Sequence, residues 1–159
     1  MLLPFQQQIQ LLFQNSVFLA AIFSWLSAQF IKTIIKLFSG QVRSLRELLE
    51  LLFWRTGGMP SSHSALVSSV STSIGFRSGV TSDVFVLSLC FALVVIRDAV
   101  GVRRSSGLQA HTLNEIGKRL EEEALLTFKP VKEIQGHKPF EVITGCFLGF
   151  FVGVAFSTL

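Results

Sequence analysis

The sequence predicts an all-α, polytopic membrane protein: a helical bundle of about four spanning helices, with further helices at the membrane interface. Of its 159 residues, 50% are hydrophobic and only 15% are charged, whereas a soluble domain usually carries about 25% charged residues. The mean hydropathy is +0.56. The apolar residues are gathered into stretches near the roughly 17–25 residues that a spanning helix needs. The chain length favours a single integral membrane domain over 1–159.

Four apolar stretches qualify as spans. They cover residues 17–38, 59–76, 83–102 and 140–159. The second is rich in serine, which predicts a helix packed against protein rather than lipid, because small residues let helix backbones approach each other. This composition sets it apart from the other three, which are dominated by Leu, Val, Ile and Phe.

Three shorter segments predict helices outside the spans. Residues 2–14 favour a short interfacial helix. Residues 39–58 contain RSLRELLELLFWR, an amphipathic pattern that would lie along the membrane surface. Residues 113–126, LNEIGKRLEEEALL, favour a helix with its charges facing water, and Pro130 and Gly136 mark its exit.

The distribution of basic residues predicts an orientation. Three arginines lie in 39–58 and seven lysines and arginines in 103–139, whereas residues 1–16 hold none. Because cytoplasmic segments carry an excess of Lys and Arg, both basic segments are expected in the cytoplasm and both termini outside. We expect an integral protein of a bacterial inner membrane.

The net charge of +4 and the two cysteines favour no other class of protein. Because the basic residues lie between apolar stretches, they indicate membrane topology, and no nucleic-acid partner is expected. Cys90 and Cys146 each lie inside an apolar run. We expect them to be small buried hydrophobic residues rather than a disulfide or a metal pair.

The segment GGMPSSHSA places polar residues at a predicted helix start. Pro60 suits the first turn of a helix, Ser61 or Ser62 can cap it, and the exposed N–H groups can hold an anion. His63 lies on that first turn. The alternative is a capped helix with one interfacial histidine.

The segment RDAVGVRR places ionisable residues at the end of the third span. Charged groups are costly there and are usually functional or paired. Arg103 and Arg104 can bind phosphate oxygens through two N–H groups each, and Asp98 can support a guanidinium. The alternative is that Arg97 and Asp98 neutralise each other while the later arginines contact lipid headgroups.

The segment GHKPFEVITG pairs His137 with Glu141, four residues later. If Pro139 opens a helix, a carboxylate one turn on can orient the imidazole, as third groups orient a basic or nucleophilic histidine. The alternative is a loop histidine beside an acidic residue that favours a helix N-terminus.

Two further pairs are candidates. Lys32 and Lys36 lie near the cytoplasmic end of the first span, where lysines often extend to the headgroups. Ser27 and Gln29 precede Lys32 and favour an inward-facing position for it. His111 and Asn114 are one helical turn apart, but without a close His pair they give only a weak metal signal.

These motifs together resemble the divergent branch of the type 2 phosphatidic acid phosphatase family, which is related to vanadium haloperoxidases. Pro60-Ser61-Ser62-His63 is similar to the family's P-S-G-H, and His137-x3-Glu141 to its terminal H-x3-D. DAVGVRR and the Leu113-Asn114 pair lie between them in the same order. Val131 stands where the classical pattern has an arginine six residues before the histidine, and Arg103 could replace it. Either Lys32 or Lys36 would be the lysine of the first motif.

The resemblance implies a fold, a substrate and a mechanism. His137 would attack phosphorus to form a phosphohistidine, Glu141 would orient and stabilise the imidazole, and His63 would protonate the leaving group. The remaining site residues would bind or support the phosphate; they are Lys32, Ser61, Ser62, Arg103 and Arg104, with Asp98 supporting an arginine. Cationic side chains could serve without a metal or cofactor. The substrate would be a membrane lipid phosphate or diphosphate.

Two other functions fit the same residues. The protein could bind anionic phospholipid headgroups without turnover, or it could be a membrane scaffold in which the motifs are packing features. Four spans are few for an enclosed site, so a homodimer is one way to complete it.

Overall fold

The computed structural model describes residues 3–40, 44, 58–124, 126–133 and 136–159, and the regular elements of these residues are all helical. The helices are α1 (Phe5–Phe13), α2 (Ser16–Phe38), α3 (Ser62–Ser78), α4 (Asp83–Arg97), α5 (Arg103–Glu122) and α6 (Pro139–Thr158), with a π-helical segment, Asp98–Val102, between α4 and α5. The predicted all-α bundle is confirmed. Most of the amphipathic segment predicted over 39–58 lies outside the described residues.

Within the part of the chain that the structure describes, three helices are long and apolar enough to cross a membrane. They are α2, the continuous helix Asp83–Glu122 formed by α4 and α5, and α6. The bounds of α2 and α6 agree closely with the first and fourth predicted spans, and the helix Asp83–Glu122 begins where the third was predicted to begin. The N-terminal segment also forms its predicted short helix, α1, all of whose residues are exposed.

The serine-rich helix α3 lies at the centre of the bundle, in contact with α2, α4 and α6. Its serine hydroxyls form hydrogen bonds with the neighbouring helices. The Ser69 Oγ lies 2.8 Å from the Ser24 Oγ, and the Ser68 Oγ donates to the Cys146 carbonyl at 2.9 Å. The prediction that this helix packs against protein is therefore confirmed, since several of its serine hydroxyls bind other helices and it contacts three of them.

Three glycines of α6 form the closest contact in the bundle. A Cβ placed on Gly145, Gly149 or Gly153 would lie 2.4, 2.1 or 2.8 Å from the carbonyl oxygens of Ser61, Ala65 and Ser69, respectively. Both series advance by four residues in the same direction, so α3 and α6 are parallel. Only glycine allows this separation, and both helices consequently begin at the same end of the bundle.

The third span differs from its prediction, because no loop follows it. We predicted that the span ends at residue 102 and that a separate helix covers 113–126. Instead α4 continues through the π-helical segment into α5, which begins at Arg103 and ends at Glu122. Three successive glutamates, residues 121–123, lie at this C-terminus, where the helix dipole disfavours negative charge. Ala124 then takes a positive φ of 57°.

The outer surface of the bundle is apolar. Leu87, Val94 and Phe151 are among its large exposed side chains, each with more than 60% of its surface accessible. Such a surface suits contact with lipid. The expectation that both cysteines are buried was wrong for Cys90, which is exposed, while Cys146 is half-buried. Cys90 does not need burial in protein, because the lipid-facing surface of α4 is itself apolar.

Candidate active site

Four helical segments bring the sequence motifs together at one end of the bundle. Since α3 and α6 both begin there, their first turns carry GGMPSSHSA and GHKPFEVITG. The C-terminal half of α2 reaches the same end, where the Lys32 side chain lies within van der Waals range of Gly58. The end of α4 joins them through the hydrogen bond, 3.2 Å long, from the His137 backbone N–H to the Ala99 carbonyl.

His137 and Glu141 form the side-chain contact that their spacing predicts. The His137 Nδ1 lies 2.8 Å from the Glu141 Oε2, and the side chains are only 8% and 19% exposed. The same carboxylate oxygen accepts from the Lys138 backbone N–H at 3.3 Å as part of a capping box at the start of α6. The carboxylate is thereby fixed by the backbone, and it fixes the orientation of the imidazole.

Ser61 joins the first turns of α3 and α6. Its backbone N–H donates to the Glu141 carbonyl at 2.8 Å, and its Oγ caps α3 by accepting from the Ser64 N–H at 3.4 Å. Its side chain is fully buried, and Ser62 is also buried. The first-turn N–H groups of Ser62 and His63 lack intrahelical acceptors, so they are available to an anion at this helix start.

Lys32 faces into the bundle although it lies on a membrane-spanning helix. It is 1% exposed, and its Nζ donates to the Gln29 Oε1 at 3.0 Å. An ammonium group has three donors, and Gln29 is the hydrogen-bond partner found within the described ranges. Lys36, by contrast, is only partly buried. These positions favour Lys32 over Lys36 as the inward-facing lysine.

Arg103 pairs with Asp98, as predicted. The Arg103 Nε lies 2.5 Å from the Asp98 Oδ2, and both side chains are partly exposed. This contact is made through Nε. Arg104 is exposed, and its backbone packs closely against Gly136. Arg97 is also exposed.

His63 is exposed beside these groups. The charges that act on it belong to Arg103, His137, Lys32 and Asp98. The cations Lys32 and Arg103 and the carboxylate of Asp98 all influence the pKa of His63, so this region carries positive charge that can attract an anion. Among the predicted site residues, His63, His137, Lys32 and Arg103 share this region, whereas Arg104 is exposed on α5.

His111 and Asn114 lie on α5, away from this cluster. The His111 Nδ1 is 3.2 Å from a carboxylate oxygen of Glu133, and the Asn114 side chain binds the backbone of Val131. Among the described residues there is no group of three His, Cys, Asp or Glu side chains suited to a metal ion. The pair connects α5 to the chain that follows it.

Two contacts at the site were not predicted from the sequence. Gln29 was expected only to mark an inward-facing side of the helix, but it also accepts the hydrogen bond from the Lys32 ammonium group; its position one helical turn earlier was the available signal. The Ala99 carbonyl anchors the His137 backbone. No sequence pattern could have found that contact, because a backbone carbonyl carries no signature in the sequence.

An apolar groove between α3, α4 and α6 lies next to the cluster. Its main cavity has a volume of about 610 Å³ and includes Ser68, Phe85, Ile96 and Phe150 among its lining residues. A neighbouring cavity of about 440 Å³ shares Ser68, Ile96 and Phe150 and extends to Val142. Val142 directly follows Glu141 in sequence, so this end of the groove lies at the first turns of α6.

Comparison with known proteins identifies the family. Residues 13–152 match the Divergent PAP2 family, named for type 2 phosphatidic acid phosphatase. The chain is also 38% identical over 118 residues to the Uncharacterized membrane protein YuiD of Bacillus subtilis (strain 168), a match that covers 65% of this chain and 73% of that protein. No solved structure shows significant similarity to the chain. The chain is a membrane protein that belongs to the divergent PAP2 family.

Proposed function

We propose that the protein is a membrane phosphatase that hydrolyses a lipid phosphate or diphosphate through a phosphohistidine intermediate. The observation that carries this proposal is the buried His137–Glu141 pair, with 2.8 Å between the Nδ1 and the carboxylate. With the Nδ1 proton directed at Glu141, the Nε2 lone pair of the imidazole is free to act as a nucleophile. A histidine oriented by a carboxylate is a recurring arrangement for such chemistry.

The reaction has two steps. In the first, Nε2 of His137 forms a bond to phosphorus while the bond from phosphorus to the lipid oxygen breaks, and protonated His63 gives its proton to that oxygen. The leaving group is the lipid alcohol, or the lipid monophosphate when the substrate is a diphosphate. In the second, water attacks phosphorus, neutral His63 accepts the water's proton, and the bond to Nε2 breaks. Inorganic phosphate leaves, and both histidines return to their starting states.

The surrounding charges support phosphate binding. Lys32 and Arg103 supply positive charge near His63, and the first turns of α3 and α6 direct their N–H groups to the same end of the bundle. Phosphoryl transfer depends mainly on positioning and charge stabilisation. Ser61 contributes by joining α3 to α6, and Asp98 by holding the Arg103 guanidinium. Ser62 contributes its first-turn N–H.

The apolar groove favours a lipid substrate over a soluble phosphate ester. It runs from the Glu141 side of the cluster into the bundle and is lined mainly by apolar side chains. A hydrocarbon chain in this groove would hold the lipid's phosphate next to His137. Binding pockets for lipophilic ligands are typically apolar with a few polar groups at one end.

The site is proposed to face the cytoplasm. The basic residues of 103–139 lie on the chain that connects the end of α4 to the start of α6, at the end of the bundle where the motifs meet. A single cysteine at position 118, in a variant with Cys90 and Cys146 replaced by serine, tests this. It should resist a membrane-impermeant thiol reagent in intact cells and react after lysis; labelling in intact cells would reverse the orientation.

Release of phosphate tests the activity. Purified protein in detergent is given a diacylglycerol phosphate and a polyprenyl diphosphate. His137→Ala should abolish release, and Glu141→Gln should lower it by on the order of 10²–10⁴-fold, the range for groups that orient a catalytic histidine. Glu122→Gln, an exposed site on α5, makes the same chemical change as a control.

The intermediate provides the second measurement. Acid-sensitive, alkali-stable label from phosphorus-labelled substrate should appear on the wild-type protein and not on His137→Ala. Full turnover by folded His137→Ala would refute the nucleophile assignment. If neither the wild type nor any variant hydrolyses a substrate, and the wild type binds vesicles of anionic phospholipid, the non-catalytic function of headgroup binding is correct instead.

A further inference from the structure

A segment after α5 runs back along that helix toward the candidate site. It comprises residues 126–133 and 136–138 and is called the strap below. The strap's backbone N–H of Phe128 donates to the Glu121 Oε1 at 3.2 Å. Further along, Val131 contacts Asn114, and Gly136 packs against the backbone of Arg104. Each later strap residue meets an earlier residue of α5, so the two run antiparallel.

Asn114 holds the strap through both atoms of its amide. Its Oδ1 accepts from the Val131 N–H at 2.8 Å, and its Nδ2 donates to the Val131 carbonyl at 2.9 Å. Nδ2 also lies 2.8 Å from the Glu133 Oε1. The residue is 8% exposed. An amide side chain offers a donor and an acceptor side by side, so this contact recognises a single residue's backbone and defines a register.

The register matters because the strap continues directly into His137. From Asn114 to Arg104, α5 covers about 15 Å, at about 1.5 Å per residue, and five residues of chain can span at most about 18 Å. A slip of one residue at Asn114 would change the length of chain that reaches the contact between the His137 N–H and the Ala99 carbonyl.

We propose that Asn114 is a positioning residue for His137: its amide fixes the register of the strap on α5, and that register determines where the imidazole lies. The inference rests on the function proposed above, in which His137 is the nucleophile. The side chains proposed to bind phosphate lie on α2, on α3 and at Arg103, the first residue of α5, rather than on the strap. Loss of the Asn114 contact should therefore slow the transfer of phosphate to His137 more than it weakens substrate binding.

Two measurements on Asn114→Ala test the proposal. In hydrogen exchange of the full-length protein in detergent, the amides of Val131 and His137 should both exchange faster, while α2 and α6 keep their protection. With phosphorus-labelled diacylglycerol phosphate, the single-turnover rate of phosphohistidine formation should fall by about tenfold or more, since a misplacement of about 1 Å can cost a hundredfold. The amplitude should be retained, because it reports the folded fraction and the rate reports positioning.

Matched variants complete the experiment. Gln109→Glu changes an exposed amide on the same helix to an acid and should behave as the wild type. Asn114→Asp keeps the acceptor for Val131 but loses the donor and brings a second carboxylate to Glu133, so it should be impaired. It also replaces Asn114→Ala if that variant does not fold.

Two outcomes would overturn the proposal. In one, the His137 amide stays protected from exchange while the Val131 amide exchanges faster. In the other, the amplitude of phosphohistidine formation falls while its single-turnover rate does not. If the wild type forms no phosphohistidine, the proposed function fails, and the two amides still decide whether Asn114 positions the His137 backbone.

Discussion

The two faces of α3 differ in how closely they meet their neighbours. Toward α6, three glycines bring the helices so close that no added Cβ fits against the α3 carbonyls. Toward α4, the same helix borders a cavity of about 610 Å³. The close face carries the Ser61–Glu141 hydrogen bond, which joins the two first turns at the site. The open face contributes the groove in which the proposed lipid chain would lie.

This difference assigns separate tasks to the two faces. Catalytic groups must be held within a fraction of an ångström, which suits a contact between backbones. A hydrocarbon chain is flexible and needs volume rather than exact shape. Changes on the close face should therefore affect folding and the site together, whereas changes on the open face should affect the choice of substrate.

Gly149→Ala should have the largest effect. Its Cβ would lie 2.1 Å from the Ala65 carbonyl oxygen, so α3 and α6 must separate. We expect the free energy of unfolding to fall by about 1–3 kcal/mol, as for overpacked cores. Most of the turnover should be lost as well. Gly101→Ala adds the same methyl group to open space. Thermal unfolding in detergent should show a lower Tm for Gly149→Ala alone; equal shifts would mean that the close contact does not support the bundle.

Cys146→Phe should alter substrate selection. Cys146 lines both cavities, so a phenyl ring there would occupy the groove. We expect KM for a long-chain lipid phosphate to rise by about tenfold or more, as when an apolar pocket is changed by a methylene or more. A short-chain lipid phosphate, dihexanoylglycerol phosphate, should keep the KM that it has with the wild-type protein. Cys90→Phe makes the same change on an exposed surface. A similar loss for both chain lengths would exclude the groove as the chain's binding site.

The serine pair Ser69 and Ser71 should show the smallest effects. Ser69 shares a hydrogen bond with Ser24 on α2, so Ser69→Ala should lower the free energy of unfolding by about 1 kcal/mol. The buried Ser71 Oγ has no hydrogen-bond partner among the described residues and lies beside the open cavity. Ser71→Ala should change that free energy by less than about 0.5 kcal/mol. Detergent unfolding curves would contradict this contrast if Ser71→Ala were the more damaging substitution.

Much of the bundle could be predicted from hydropathy alone, because a spanning helix is long and uniformly apolar. The serine content of α3 also predicted its position, since small polar side chains have no reason to face lipid. The join between α4 and α5 could not be predicted in this way. Arg103 and Arg104 indicate where the chain leaves hydrocarbon, but charge does not end a helix.

The candidate site was predictable where its residues are close in sequence. The spacing of four between His137 and Glu141 predicted their contact, which is confirmed, as is the Arg103–Asp98 pair. The role of Asn114 depends on Val131, 17 residues later, and on the direction in which the strap returns. A single sequence contains no signal for that contact. The chemical roles of all these residues remain predictions.

The strap contact has a practical consequence for work on this protein. The hairpin between α5 and the strap has its tip near Ala124, about 30 Å along α5 from Arg103. Asn114 forms hydrogen bonds with Val131 between that tip and the site. Residues inserted at the tip should therefore lengthen the hairpin without changing the position of His137. A fluorescent or affinity tag inserted there should leave the candidate site undisturbed while it stays attached to the helix that carries Arg103.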